Sequence, residues 1–247
     1  MKRRGSLILV GSGEFTPAMD DLDREILAGL AKPRARVAIV PTASGLEDTS
    51  ESWAELGKAH FTALGADVVP VMVLRRDDAW ERKWIDALRN VDWVYFSGGR
   101  PQHAINVLGG TPFWEEVVRA HRSGAVLAGA SAGAMMLGQK SYAPDDFDAA
   151  GLPQSVSIRD GLGVLGGHFV VPHFDLLAQF PPERIQAWIA SWPKGFRGIG
   201  IDEDTAVVEG TNEWTVRGRG RAVTMTSFEH QEVHANGARF DSIPILI

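Results

Sequence analysis

Residues 129–133, Gly129-Ala130-Ser131-Ala132-Gly133, form a Gly-x-Ser-x-Gly pattern, entered by an apolar run at 125–128 and left by a helix-forming stretch at 134–137. A serine on a sharp strand-to-helix turn stands clear of its neighbours, and small residues around it let adjoining backbones pass close by. At a helix N-terminus the backbone N–H of Ala132 can donate to a developing oxyanion. The chemistry implied is nucleophilic attack on a carbonyl. The same pattern also serves as a tight packing turn or as a phosphate-holding helix N-terminus. Ser97-Gly98-Gly99 closes another apolar run, and its glycines let backbone N–H groups turn toward an anion. Beside a reactive serine, Gly99 would supply the second oxyanion donor.

A serine hydroxyl needs a base within hydrogen-bond reach. Of the seven histidines, His60 and His121 fall inside helical patterns and are expected at the surface, while His103 follows the glycine turn. His168 and His173 flank Phe169-Val170-Val171-Pro172. Alternation along a strand places them on opposite faces, which argues against a paired metal site. His173, at the strand exit, is the better base, and His168 reads as a structural residue at the strand start. The base in turn needs an orienting acid. Asp145, Asp146 and Asp148, Asp175, and the cluster Asp202-Glu203-Asp204 all qualify, and residue chemistry alone leaves the choice open.

These positions require elements to hold them. Short apolar runs at 6–10, 36–40, 67–73, 91–96 and 125–129 lack polar alternation, as strands covered on both faces do. Helix-period segments separate them. Thr16-Pro17 predicts a cap and first turn ahead of Met19, Leu22, Ile26, Leu27 and Leu30; residues 51–64 predict a second helix; Asp77 or Asp78 predicts the cap of a third, with Trp80, Trp84, Ile85 and Leu88 on its apolar stripe. A β-α-β-α order predicts a mostly parallel sheet with helices on both faces, a flavodoxin-like α/β architecture that binds ligands beyond the carboxyl ends of its strands. Runs at 205–209, 213–216, 222–226 and 232–234 are short and turn-separated, and predict a small antiparallel β extension over 205–247. The expectation is a single α/β hydrolytic domain spanning 1–247.

Composition narrows the function classes. The chain has 247 residues, 45 % hydrophobic and 23 % charged, enough to bury a full core. With no cysteine it has no disulfide, thiolate metal site or cysteine nucleophile. A net charge of −6 provides no global attraction for nucleic acid or an anionic membrane. Arg217-Gly218-Arg219-Gly220-Arg221 is expected to surround a hairpin turn rather than to bind nucleic acid. The basic start Met1-Lys2-Arg3-Arg4 precedes an apolar run only from Leu7 to Val10, shorter than a secretory signal requires, and no stretch reaches a membrane span. The expected location is cytoplasmic.

Several motifs in register resemble the cyanophycinase and dipeptidase E group of serine peptidases. They are Gly11-Ser12-Gly13-Glu14-Phe15, Phe96-Ser97-Gly98-Gly99, Ala130-Ser131-Ala132-Gly133-Ala134, Gly161-Leu162-Gly163-Val164-Leu165, Pro172-His173-Phe174, and residues 198–206 from Gly198-Ile199-Gly200-Ile201 through Asp202-Glu203-Asp204-Thr205-Ala206. The resemblance covers residues 6–209. It implies a class I glutamine amidotransferase-like fold with serine in place of cysteine, and a Ser-His-Glu triad carried by Ser131, His173 and Glu203. It also implies oxyanion donors at Gly99 and Ala132, cleavage of peptide bonds next to aspartate, no metal or organic cofactor, a small peptide substrate, and a homodimer, as is common in the family. Glu203 is thereby preferred to Asp146 as the acid.

The departures bear on substrate. Cyanophycinases carry Asp-Gln before the histidine and a ladder of arginines after it. Here Val171-Pro172 precedes His173, and 174–182 holds no arginine, the first being Arg184. The grip for a branched arginine polymer is missing, and Pro172-His173 looks more like the dipeptidase E branch. Gln102 stands one position later than the family's glutamine, and Arg100 could take a substrate carboxylate in its place. Two other classes use the same residues. An α/β-hydrolase esterase would pair Ser131 with Asp202 or Asp204 and with His230 or His234, although the tail lacks a final helix and a His-Gly oxyanion motif. A non-catalytic domain would hold a small anion at Gly98-Gly99 and the Ser131 turn.

Overall fold

A computed structural model describes residues 4–147, 153–227 and 229–247, with the backbone alone for 143–147 and 153–155. The strands are β1 (Leu7–Val10), β2 (Arg36–Val40), β3 (Asp67–Pro70), β4 (Trp93–Phe96), β5 (Val126–Ala130), β6 (Lys140–Phe147) and β7 (Pro153–Asp160). They continue with β8 (His168–Val171), β9 (Arg197–Ile201), β10 (Thr205–Glu209), β11 (Glu213–Gly218), β12 (Arg221–Met225), β13 (Gln231–Ala235) and β14 (Arg239–Asp241). The helices are α1 (Asp20–Gly29), α2 (Ser50–Ala63), α3 (Arg82–Ala87), α4 (Pro101–Leu108), α5 (Pro112–Arg122), α6 (Ala132–Met135) and α7 (Pro182–Ala190).

The central sheet has eight strands in the order β14-β11-β10-β1-β5-β4-β2-β3. β1 to β5 pair in parallel, and β10, β11 and β14 extend the sheet antiparallel beyond β1. Each parallel strand alternates between two cores. Leu7, Leu9, Ala38, Val40, Val94, Phe96 and Leu127 pack on the face covered by α3, α4 and α5. Ile8, Val10, Val37, Ile39, Trp93, Tyr95, Val126 and Ala128 pack on the face covered by α1 and α2. Burial on both faces is why these strands read as unbroken apolar runs. A second sheet, β13-β12-β9-β8, encloses a smaller core of Phe169, Val171, Ile189, Trp192, Val223 and Met225.

Several local expectations are corrected. β3 stops at Pro70; Val71 N–H still donates to Ile39 O at 2.8 Å, and Val71 and Val73 are completely buried beyond the strand. Thr16 does not cap a helix: its Oγ1 donates to Gly13 O at 2.7 Å, and α1 begins only at Asp20. Asp78 accepts the N–H groups of Leu74 and Arg75 ahead of a 3-10 turn, Arg76–Trp80, so Trp80 lies exposed rather than on the stripe of α3. The C-terminal strands are not one meander. β10, β11 and β14 join the central sheet, whereas β12 and β13 join the second. Residues 217–221 therefore cross between sheets instead of closing a hairpin, and Arg217, Arg219 and Arg221 pair with Glu25, Asp204 and Asp202. Among the described residues no helix is long and apolar enough to cross a membrane.

Candidate active site

Ser131 follows β5 directly and opens α6. Its N–H donates to Val10 O at 3.0 Å, continuing the β1–β5 ladder, while its own carbonyl accepts from Ala134 and Met135 at 3.0 Å. The chain reverses from strand to helix at one residue, and Ser131 adopts φ 50°, ψ −118°. A non-glycine residue held there stores about 1–3 kcal/mol of strain, the kind found at functional turns. The flanking glycines are dictated by contact: a Cβ on Gly129 would lie 2.3 Å from Gly133 O, and one on Gly133 would lie 2.4 Å from Phe96 O. The neighbouring β4 loop thus packs directly on the turn.

His173 follows β8 in the second sheet, beyond Pro172, with φ 49° and ψ 40°. β8 runs parallel to β9, whose carboxyl end leads into Asp202-Glu203-Asp204 before the chain crosses to β10. The two sheets therefore deliver their carboxyl ends to one place. Ser131 Oγ lies 3.0 Å from His173 Nε2, and His173 Nδ1 lies 2.7 Å from Glu203 Oε1. A carboxylate only accepts, so Nδ1–H donates to Glu203, and Nε2 is left to accept the Ser131 hydroxyl proton. The imidazole and carboxyl are partly exposed, at 36 % and 41 %, so the row opens to solvent.

The other acids are placed elsewhere. Asp202 accepts from the Arg221 backbone at 3.1 Å, and burial raises its pKa above the ordinary carboxyl value. Asp204 pairs with Arg219 at 3.5 Å. Asp175 Oδ1 accepts the backbone N–H of Glu203 at 2.9 Å. Asp148 and the side chains of Asp145 and Asp146 lie outside the described residues; the backbone of Asp145 and Asp146 belongs to β6.

The histidines sort in the same way. His230 meets Ser227 Oγ at 3.0 Å, and His234 meets Thr224 Oγ1 at 2.9 Å and stacks on Phe240, so neither joins Ser131. His103 Nε2 donates to Leu74 O at 2.8 Å. His168 Nδ1 meets Gly166 O at 2.6 Å, at the far end of β8 from His173. A cleft of about 1030 Å³ lies at that far end, lined by His168, Arg197 and His234 among others, and none of Ser131, His173 and Glu203 lines it. His60 and His121 are not surface residues. His60 pairs with buried Asp23 at 2.7 Å, and His121 is 1 % exposed with Nδ1 3.0 Å from Ala125 O. A helical position facing the sheet buries a histidine when a fixed acceptor awaits it.

Around Ser131, the backbone N–H groups of Gly99 and Ala132 make no hydrogen bond to another described residue. Arg100 is exposed and pairs with Glu47 at 3.5 Å, and Gln102 donates to Asn106 Oδ1 at 3.3 Å. Glu14 carried no role in the sequence reading beyond its place in a shared motif. It is 5 % exposed and accepts the N–H of Gly98 at 2.9 Å. Burial raises its pKa, opposed by its own N–H, by that of Gly98 and by His173.

The chain is similar to known peptidases in sequence and in fold. Over 221 residues the chain is 27 % identical to a cyanophycinase of Nostoc sp. (strain PCC 7120 / SAG 25.82 / UTEX 2576), covering 87 % of this chain and 71 % of that one. The crystal structure of a peptidase from an acI-B1 Actinobacterium superposes with a TM-score of 0.84 at 29 % identity, covering 97 % of each chain. The fold alone is shared with a Listeria monocytogenes EGD-e protein designated a peptidase E, at a TM-score of 0.63 and 19 % identity, covering 88 % of this chain and 100 % of that one. The family model for peptidase family S51 matches residues 7–215, a span that takes in the strand ends bearing Ser131, His173 and Glu203, and by that match the chain belongs to peptidase family S51 and is a serine-type peptidase.

Proposed function

We propose that this peptidase hydrolyses short peptides through an acyl-enzyme on Ser131. The observation that carries the reading is the continuous row Ser131 Oγ, His173, Glu203, with contacts of 3.0 Å and 2.7 Å. Ser131 Oγ attacks the scissile carbonyl carbon as its proton passes to His173 Nε2. Glu203 fixes the imidazole tautomer and stabilises the imidazolium. The Gly99 and Ala132 N–H groups receive the oxyanion. On collapse the C–N bond breaks, and His173 returns the proton to the leaving amine. His173 then takes a proton from water, whose oxygen attacks the ester, and Ser131 is released with its proton restored. No step calls for a metal or an organic cofactor.

The substrate class follows the resemblance to the dipeptidase E branch: peptides with aspartate before the scissile bond. Residues 174–182 carry no arginine, which separates this chain from an enzyme built to grip a branched arginine polymer. Arg100, at the edge of the glycine turn, exchanges Glu47 for a substrate carboxylate, with Gln102 beside it. A dipeptide panel with and without aspartate at the residue preceding the scissile bond tests this reading. Cleavage confined to aspartyl peptides, with β-linked Asp-Arg polymer untouched, is the expected result. Indifference to aspartate, or release of β-Asp-Arg from the polymer, would overturn the substrate assignment.

A further inference from the structure

Glu14 has no part in the proton transfers above, yet it sits against the residues that make them. β1 and β4 flank β5 in the sheet, and the end of β5 carries Ser131. The bond from Gly98 N–H to Glu14 Oε1, 2.9 Å long, therefore joins the β1 loop to the β4 loop across the nucleophile turn. The packing is tight: a Cβ on Gly98 would stand 3.2 Å from Glu14 Oε1 and 3.3 Å from Ser131 Cβ. On the other side of the glycine turn, Arg100 N–H donates to Ala43 O at 2.7 Å. Between these tethers Gly99, at φ +134°, keeps its own N–H uncommitted among the described residues. Two successive glycines let a peptide plane rotate at little cost, so the chain alone does not aim the Gly99 N–H. What holds its flanks does.

We infer that Glu14 is a positioning residue that grips the Gly98 N–H and thereby aims the Gly99 N–H at the oxyanion formed on Ser131 attack. The inference rests on the assignment of Ser131 as nucleophile. Burial, which raises the pKa of Glu14, also favours the neutral acid, whose carbonyl oxygen still accepts from Gly98 while setting less negative charge against the oxyanion. Glutamine offers the same acceptor without any charge.

The test is the rate at which a fluorophosphonate probe labels the purified full chain, followed over probe concentration so that the limiting rate and the half-saturating concentration separate. Phosphonylation develops oxyanion charge as acyl transfer does, and displacing one donor is expected to slow it. Glu14→Ala should lower the limiting rate on the order of 10- to 100-fold with half-saturation moved less than about threefold, and Glu14→Gln should restore the rate to within about threefold of wild type. A merely structural side chain would not give this split or this rescue. Should the alanine variant not fold, Glu14→Asp, one methylene short of Gly98, takes its place with the same expected loss. Wild-type rates in Glu14→Ala or Glu14→Asp, or a glutamine variant as slow as either, would overturn the inference while leaving Ser131 in place. A wild-type chain that takes no label at Ser131 overturns both.

Discussion

Asp175 Oδ1 accepts the backbone N–H of Glu203 at 2.9 Å, tying the turn that bears the proposed base to the turn that bears its acid. His173 lies two residues before Asp175, and Leu176 N–H returns to His173 O at 3.0 Å, so the base, the tether and the acid form one closed structure. Glu203 is partly exposed and its long side chain would otherwise sample several rotamers. Asp175→Ala should lower kcat/KM about 10- to 100-fold without unfolding the chain, because small misplacements of a catalytic row are costly. An unchanged kcat/KM would show that Glu203 is held by other means.

Glu203→Gln retains the shape of the row but can accept only through an amide oxygen, and its NH₂ can face His173 instead. Loss of the fixed tautomer is expected to lower kcat on the order of 10⁴-fold, as in other serine triads. His173→Ala should cost on the order of 10⁶-fold and His230→Ala nothing. The reverse pattern for the two histidines, read in steady-state kinetics, would support the esterase arrangement.

Gly133→Ala would drive a Cβ to within 2.4 Å of Phe96 O, which is backbone and cannot swing away. Overpacking of this kind costs about 1–3 kcal/mol. At roughly 2–4 °C per kcal/mol for a chain of this size, thermal unfolding should register it. An unshifted Tm would mean the β4 loop is not packed on the nucleophile turn.

His121 predicts a pH dependence of stability. Its Nδ1–H donates to Ala125 O, while Nε2 is buried without a partner, and burial lowers its pKa below the ordinary value of 6.5. Below that value the unfolded chain binds a proton that the folded chain refuses, so stability falls as pH drops from 6.5 toward the folded pKa and is level above 6.5. His121→Asn keeps an N–H for Ala125 O and does not titrate. Relative to that variant, the wild type should lose stability progressively as pH falls below 6.5 in denaturant melts, with a slope never steeper than about 1.4 kcal/mol per pH unit. Parallel curves for the two proteins would contradict a buried neutral imidazole.

The residues that meet at the site were largely readable because each stands at a strand end with a distinctive neighbour: glycines around Ser131, proline before His173. The acid was not readable from chemistry alone, since 202–204 offers three carboxylates and only the resemblance singled out Glu203. In the structure, side-chain geometry separates them, with Arg221 and Arg219 engaging Asp202 and Asp204 and leaving Glu203 to His173. Asp175 was legible only as a candidate acid and Glu14 only as part of a shared motif; the backbone N–H groups they accept from are displayed by no residue pattern. The parallel strands were legible from burial on both faces. The β6–β7 pair was not, because Pro144, Asp145 and Asp146 are poor strand formers, and the pairing carries irregularities at Pro144 and Asp146. The division of the C-terminal strands between two sheets depends on long-range partners that alternation cannot identify.

The most direct measurement is peptide mapping by mass spectrometry after fluorophosphonate labelling. One adduct on the peptide containing Ser131, absent from both Ser131→Ala and the His173→Ala variant labelled at the same pH, is the result expected of a hydroxyl activated by that imidazole. An adduct on another serine, or undiminished labelling of Ser131 without His173, would contradict the account.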